Sequence, residues 1–430
     1  MSPLLREGIG VALLAVVALG CRTEPNPAYC DEARPCGDGR LCQMNRCVEI
    51  GGDGGDCAEP CQGATPFCEG GACVACRGHA DCPAEAPLCS TAGACEPCAS
   101  DEGCARLPDG AVAICTPSGA CVRDGEVVVV DAEAACSGVA EPFCAVPEAL
   151  TYAAANDRSA ILLREAGRAY DRFEVHDQVV RIYGQATSQA GPTVSASAGL
   201  DAILVTGATS DVELHRLRVT GAARGVHCED AARCLVHRVV ARENGVAVYM
   251  DGVGIAEVTR STLAFNNGGG IFLYRTEDHA VVQNNFIYKN GANSAGIGGL
   301  YLDGVLSADW PSWRVGSNSL LANKTDGSAG AAVHCAQPLT ISSHIHWEHT
   351  GTPVGGACAL EHSSTETLLA GAGNLAGDPH FVSTLPAEDL HLAASSPCRD
   401  MGALEAPPAD DIDGDARDAQ PDIGADELRP

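Results

Sequence analysis

From Glu126 onward the chain alternates apolar and polar positions with a period of two, in short runs bounded by glycine and asparagine. One recurring run sets Gly or Ala before alternating apolar residues: Gly225-Val-His-Cys228, Gly245-Val-Ala-Val248, Gly270-Ile-Phe-Leu273, Gly299-Leu-Tyr-Leu302 and Ala331-Ala-Val-His-Cys335. A second run ends in Asn and Gly: Val236 to Asn244-Gly245, Val258 to Asn267-Gly268 and Val282 to Asn290-Gly291. Looser copies occupy Val212 to Thr220-Gly221, Val315 to Asn323 and Ile341 to Thr350-Gly351. Period-two alternation predicts strands that send Val, Ile and Leu into a narrow core. A repeat of 20 to 33 residues predicts that each copy is one coil of a parallel β-solenoid, with loops of unequal length. Asn and Gly at the corners tolerate left-handed backbone, and stacked Asn side chains can hydrogen-bond along the axis. Helical periodicity is confined to Val146–Ala155, a short helix placed to close the N-terminal end of the core.

Cysteine usage divides the chain. Of 24 cysteines, 19 fall between Cys21 and Cys144. Sixteen form four groups of four: Cys30/36/42/47, Cys57/61/68/73, Cys76/82/89/95 and Cys98/104/115/121. Each group is too small to bury a core, so two disulfides per unit are expected to hold it. First-to-third and second-to-fourth pairing is the expectation, although four cysteines allow three patterns. Zinc is the alternative, from the C-x-x-C spacing of Cys73–Cys76 and Cys95–Cys98, but these pairs straddle unit boundaries. Later cysteines suggest disulfides Cys136–Cys144, Cys228–Cys234 and Cys335–Cys358, leaving Cys398 single if Cys21 carries lipid.

The N-terminus points to export. Ile9–Leu19 is an apolar run of eleven, the length of a signal-peptide core and too short to span a bilayer. It ends at Ala18-Leu19-Gly20-Cys21, which resembles a bacterial lipobox with Ala18 and Leu19 departing from the usual residues. The organisation read from these features is a signal peptide (1–20), a tether (21–29), cysteine repeats forming a stalk (30–121), a β-helix (126–400) and an acidic capping segment (401–430). The expected location is the outer membrane or cell surface with lipid on Cys21, otherwise secretion. The net charge of −29, with Lys289 and Lys324 the only lysines, excludes nucleic acid as a partner and leaves membrane contact to the lipid anchor alone.

The body resembles the right-handed parallel β-helix proteins of the pectate-lyase superfamily. The entry segment Cys144-Ala-Val-Pro-Glu-Ala-Leu150, Ile161-Leu-Leu-Arg-Glu-Ala-Gly167 and Tyr170 is similar to that family's helix, strand, Gly and Tyr before the first coils. Asn374 to Phe381, Leu390-His-Leu392, Ser396-Pro397 and Asp413 to Glu427 resemble its closing coil. The resemblance implies an all-β, right-handed parallel β-helix behind a disulfide-rich repeat region. It does not fix a function, since the fold serves lyases, hydrolases and adhesins.

Inward Val226, Val248, Leu273, Leu302 and Val333 would turn His227, Tyr249, Phe272, Tyr274, Tyr301 and His334 outward on one sheet, with Asp251 and Asp303 beside them. Flat aromatic rings stack on sugar rings, so this strip is the expected binding site for a polysaccharide or surface glycan. Two alternatives remain: a polysaccharide hydrolase or lyase, with Asp251 and Asp303 as its carboxylates, and a structural or adhesive protein with no small ligand. A lyase needs a basic residue, and no stacked Arg or Lys position is evident in the pattern. His344 and His346 are metal candidates, with an exposed polar strand as the competing account. Asp411, Asp413 and Asp415 are calcium candidates, though Gly414 breaks the usual loop frame.

Overall fold

The computed structural model describes residues 40–43, 46–49 and most of the chain from 61 onward. The stretches 62, 70–71, 84, 99–102, 105–110, 117–118, 137–140, 186–190, 278, 292–295, 305–312, 326–329, 385–387, 406 and 430 lie outside the described residues. So do the expected signal peptide and tether, with Cys21, Cys30, Cys36 and Cys57. The chain divides into two compact units, Met1–Pro97 and Cys98–Pro430.

The first unit is a series of small antiparallel hairpins: Arg40–Gln43 with Arg46–Glu49, Phe67–Glu69 with Ala72–Val74, and Leu88–Cys89 with Cys95–Glu96. Cystines do the work of a core. Cys76–Cys89 and Cys82–Cys95 realise the first-to-third and second-to-fourth pattern, and Cys61–Cys73 is the second-to-fourth bond of its own group. Cys73 and Cys76 therefore sit in separate disulfides, which removes the zinc alternative for that pair. Successive hairpins meet at Gly93, whose carbonyl accepts the N–H groups of Ala75 and Cys76. A Cβ at Gly93 would lie 2.5 Å from Val74 Cβ, and its φ of +72° suits glycine alone.

The second unit is a parallel β-helix. Its coils contribute to three walls. Wall one stacks Phe173–His176, Asp201–Thr206, Arg224–Glu229, Val246–Asp251, Gly269–Thr276, Leu300–Gly304 and the first half of Val333–Ser342. Wall two runs from Val127–Val130 to Arg314–Gly316 and joins wall one through Val333–Ser342, making one sixteen-stranded sheet. Wall three is a ten-stranded sheet from Tyr170–Asp171 to Leu375–Ala376. Every pairing along these walls is parallel, one coil to the next, and the interior is a continuous column of fully buried Val, Leu, Ile and Ala. The helix Val146–Ala155 forms as expected and buries Val146, Ala149, Leu150 and Ala153 in the same core. The fourth cysteine group belongs to this unit, with Cys98–Cys115 and Cys104–Cys121 closed and Ile114 and Val122 packed on Val127, Leu162 and Tyr183.

Gly225, Gly270 and Gly299 share one column, but Gly245 does not. Val248 pairs with Val226, so Ala247 takes the glycine position, while Gly245 opposes Ala223 and Gly268. Only small residues fit this column: a Cβ at Gly270 would stand 2.7 Å from the Gly299 carbonyl oxygen.

Two asparagine ladders stitch the corners around wall three. Between walls two and three, the backbone N–H of Val239, Ser261 and Asn285 donate in turn to the side chains of Ser261, Asn285 and Asn318. After wall three, Ala222, Asn244, Asn266 and Asn290 donate to Asn244, Asn266, Asn290 and Asn323. Consecutive Asn rungs in this second ladder are 22, 24 and 33 residues apart, so insertions leave the stack undisturbed. The left-handed residue at each corner is not the Asn but its predecessor, among them Arg260, Asn284, Glu243, Phe265 and Lys289. That backbone turns the following Asn inward, where it is buried and fully bonded. Each net hydrogen bond contributes about 1 kcal/mol, and leaving a buried donor unpaired costs about 1–3 kcal/mol.

Residues 379–429 fold back along the outside of wall three. Phe381, Leu390, Leu392, Ile412 and Ile423 cover Ala264, Phe286, Tyr288, Leu321 and Ile345 in a second core.

Candidate functional site

On the outward face of wall one, the register stacks His227, Tyr249, Phe272, Tyr301 and His334 on five successive coils. A parallel second column holds Glu229, Asp251, Tyr274 and Asp303. The expected single strip is thus two columns, side by side, and the aromatic rings bridge them. Ring centroids lie 5.4 Å apart for His227–Tyr249, 5.3 Å for Tyr249–Tyr274, 4.6 Å for Tyr274–Tyr301 and 5.6 Å for Tyr301–His334, the last pair parallel to within 5°. Tyr249, Phe272, Tyr274, Tyr301 and His334 are half-buried, while His227 is buried. Burial, followed by the neighbouring phenols and carboxylates, pushes Tyr274 up to about 12. Tyr249 and Tyr301 are raised for the same first reason.

His227 is anchored by partners that sequence reasoning missed. Its Nδ1 donates to Asp201 (2.9 Å), which also accepts two bonds from Arg224, at 2.8 and 2.9 Å. Burial works against a charged Asp201, yet the bonds from Arg224 and His227 outweigh it and hold the carboxyl below its ordinary range. Burial lowers His227. Arg224 also lies 5.3 Å over the Tyr249 ring. Asp201 stands on the previous coil, opposite Arg224 in register, so only the stack reveals the grouping.

Asp251 and Asp303 flank Tyr274 in the second column. Two coil steps separate them, roughly 9–10 Å at the usual strand spacing. Asp251 accepts from Arg275 (2.6 Å) and Asp303 from the Gln337 amide (2.8 Å). In each carboxylate one oxygen, Oδ1, is engaged by that neighbour.

A stacked basic position does exist, contrary to the sequence expectation. Arg216, Arg238 and Arg260 occupy the same corner on three successive coils, linked by backbone bonds through His237 and Thr259. The pattern missed it because these residues close wall-two strands and look like ordinary polar corners. The C-terminal segment covers this column: Asp410 pairs with Arg260, and Arg238 donates to the Asp413 carbonyl oxygen (3.1 Å). A cavity of about 530 Å³ opens beside it, lined by Arg216, His237, Arg238, Arg260, Asp410 and Gly414. No residue of the aromatic strip lines it.

His344 and His346 are not on an exposed strand. Both are buried, with half-buried His349 beside them, and desolvation drives His344 and His349 down to about 3 and His346 well below its ordinary value. His344 is a rung of the first ladder, which runs on through Ser363 to Asn374, and His349 follows Asn323 in the second. Asn318 donates its amide to Nε2 of His344 (3.1 Å), and the Asn323 N–H donates to Nδ1 of His349 (3.1 Å). A neutral imidazole that accepts with one nitrogen carries its proton on the other. The nitrogens facing the interior, Nδ1 of His344 and Nε2 of His349, are therefore N–H groups without a lone pair for a metal. His346 lies between them, in register with core Leu320, and neither of its nitrogens has a partner.

The three tail aspartates are spent separately. Asp411 accepts the N–H groups of Asp413, Gly414, Asp415 and Glu427, Asp413 meets His391 Nε2 (2.9 Å), and Asp415 pairs with Arg429. They organise turns rather than converge on one calcium position. The disulfides Cys136–Cys144, Cys228–Cys234 and Cys335–Cys358 are closed. Cys398 is a buried thiol, raised to about 11 by burial. Among the described residues no helix is long and apolar enough to cross a membrane.

No protein-family model matches this chain, and no curated protein matches its sequence.

Proposed function

We propose that this is an exported, surface-anchored protein that binds a polysaccharide along the aromatic strip of wall one, without turning it over. The observation that carries this reading is the unbroken succession of ring contacts from His227 to His334. Four successive coils, from Tyr249 to His334, present half-exposed rings in register over a length of about 14 Å, at about 4.8 Å per step, with buried His227 closing one end. Such a ladder matches an extended chain of sugar rings lying along the solenoid axis, stacking by its apolar faces while flanking carboxylates accept its hydroxyls. The resemblance of the entry and closing segments to those of the pectate-lyase superfamily supports a carbohydrate ligand. The disulfides of the first unit, with the apolar N-terminal run and Cys21, support export and lipidation.

Hydrolysis is less well supported. An inverting pair needs carboxyls about 6.5–9.5 Å apart with room for water; Asp251 and Asp303 stand with Tyr274 between them and with Arg275 and Gln337 bound to them. A glycan array comparing wild type with the Tyr274→Ala/Tyr301→Ala variant tests the proposal. Binding by the wild type and at least tenfold weaker binding by the variant is the expected result. An array with no binder, or a variant that binds equally well, removes the reading. Release of reducing ends or unsaturated products, abolished in Asp251→Asn, would make the protein an enzyme instead.

A further inference from the structure

We infer that the polysaccharide taken by the strip is uncharged, its hydroxyls read by the carboxylates of the second column; this rests on the strip being a glycan site. The charges around the rings are unbalanced. Asp201, Glu229, Asp230, Asp251 and Asp303 border them, against Arg224 and Arg275. Each guanidinium is already charge-balanced by a carboxylate of the protein itself. Arg224 is locked on Asp201 by two bonds, and Arg275 spans Asp251 at 2.6 Å and Asp230 at 4.0 Å. The whole chain adds a field of the same sign, at −29. A uronate or sulfated polymer laid on Tyr249, Tyr274 and Tyr301 would bring its anions against Asp303 and Glu229 with no counter-charge.

A cationic polymer fits less well than a neutral one. Asp251 already holds its cation in Arg275, and the partner of Asp303 is a neutral amide, Gln337. What both carboxylates still offer is acceptor capacity, suited to hydroxyl donors on a sugar ring. The phenol hydroxyls of Tyr274 and Tyr301 add neutral donors and acceptors between them, Tyr274 being held protonated far above neutrality. Recognition by stacking and hydroxyl bonds, with no ion pair formed, is insensitive to salt.

The test is affinity electrophoresis of the full-length protein through gels containing hydroxyethyl cellulose or glucomannan (uncharged), polygalacturonate or heparin (acidic), or chitosan at pH 6 (cationic), at low and high salt. The expected result is retardation by an uncharged polymer, changed less than twofold by salt and weakened at least tenfold in Tyr274→Ala/Tyr301→Ala. Asp303→Asn, with unchanged circular dichroism, is expected to weaken the uncharged polymer about threefold to tenfold and to lessen the exclusion of polygalacturonate. Tighter binding of an acidic polymer, or of chitosan with steep salt dependence, overturns the inference; if the tyrosine variant then abolishes binding, the strip remains a glycan site. Retardation by no polymer, or retardation indifferent to the tyrosines, brings down both the inference and the glycan reading beneath it.

Discussion

The hairpin unit that ends at Pro97 and the β-helix that follows are both built from short extended segments and tight turns, yet different forces hold them. In the hairpin unit each pair of strands is two to four residues long, and cystines such as Cys61–Cys73, Cys76–Cys89 and Cys82–Cys95 fix the hairpins from residue 61 onward. In the β-helix, where Cys228–Cys234 and Cys335–Cys358 are isolated links, most strands of similar length rely on stacking, because each coil finds the next and buries Val, Ile and Leu between three walls. Cross-linking constrains the unfolded chain; stacking rewards the folded one. The contrast teaches that repetition in register can replace cystines, provided the corners are satisfied.

Reduction separates the two regions most widely. With excess thiol reductant, residues 61–97 should lose their protease resistance completely, since each native disulfide removed from a small unit costs about 2–5 kcal/mol. The β-helix should keep its far-ultraviolet β-signal and remain resistant. Mass spectrometry of the surviving fragment checks this, and a solenoid degraded in step with the hairpins would break the comparison.

Acid probes the solenoid from inside. His344 and His349 titrate near 3 when folded, against about 6.5 in an unfolded chain. Between those values the unfolded chain binds more protons, so this contribution is whole above about pH 6.5 and is lost as pH falls towards 3. Across the three histidines the loss is on the order of several kcal/mol. His346→Leu, which extends the Leu320 column, should raise the Tm at pH 4 more than at pH 7. Equal changes at both pH values would show that the interior imidazoles do not govern acid stability.

The smallest effect sharpens the role of the corners. Asn266→Ala removes one rung, leaving the Asn244 N–H unpaired in the interior. Denaturant unfolding should show a loss of about 2 kcal/mol, with binding to glycan retained because the rung is buried in the interior and not on the outward face of wall one. A loss within error would mean that the ladder follows from stacking and does not secure it.

Much of this architecture was legible because its signals are local. Alternation in Gly270-Ile-Phe-Leu273 fixes which side chains face out, and Asn at the ends of runs marks the corners. Register is where local signals fail. Gly245-Val-Ala-Val248 looks like its neighbours, yet packing of Val248 on Val226 shifts the glycine by two places. The left-handed corner residues are Arg, Glu, Lys or Phe as readily as Gly, so composition does not announce them. The rings of the strip could be named in advance, whereas Asp201, Arg224 and Gln337 could not, because their bonds run between coils. Alternation likewise says that His344 and His346 lie on one side, but not that the side is the interior.

The C-terminal segment meets residues made long before it: Asp413 lies 175 positions after Arg238, and Asp410 lies 126 after Asn284. Coils contact chiefly their neighbours and can form one by one as the chain lengthens. Phe286, Tyr288, Leu321 and Ile345 must then wait, bare, for Phe381, Leu390, Leu392, Ile412 and Ile423 to arrive. Translation stopped before this segment would yield well-ordered coils with a greasy side turned outward, inclined to cling to one another, so the covering segment acts as a seal on the stack.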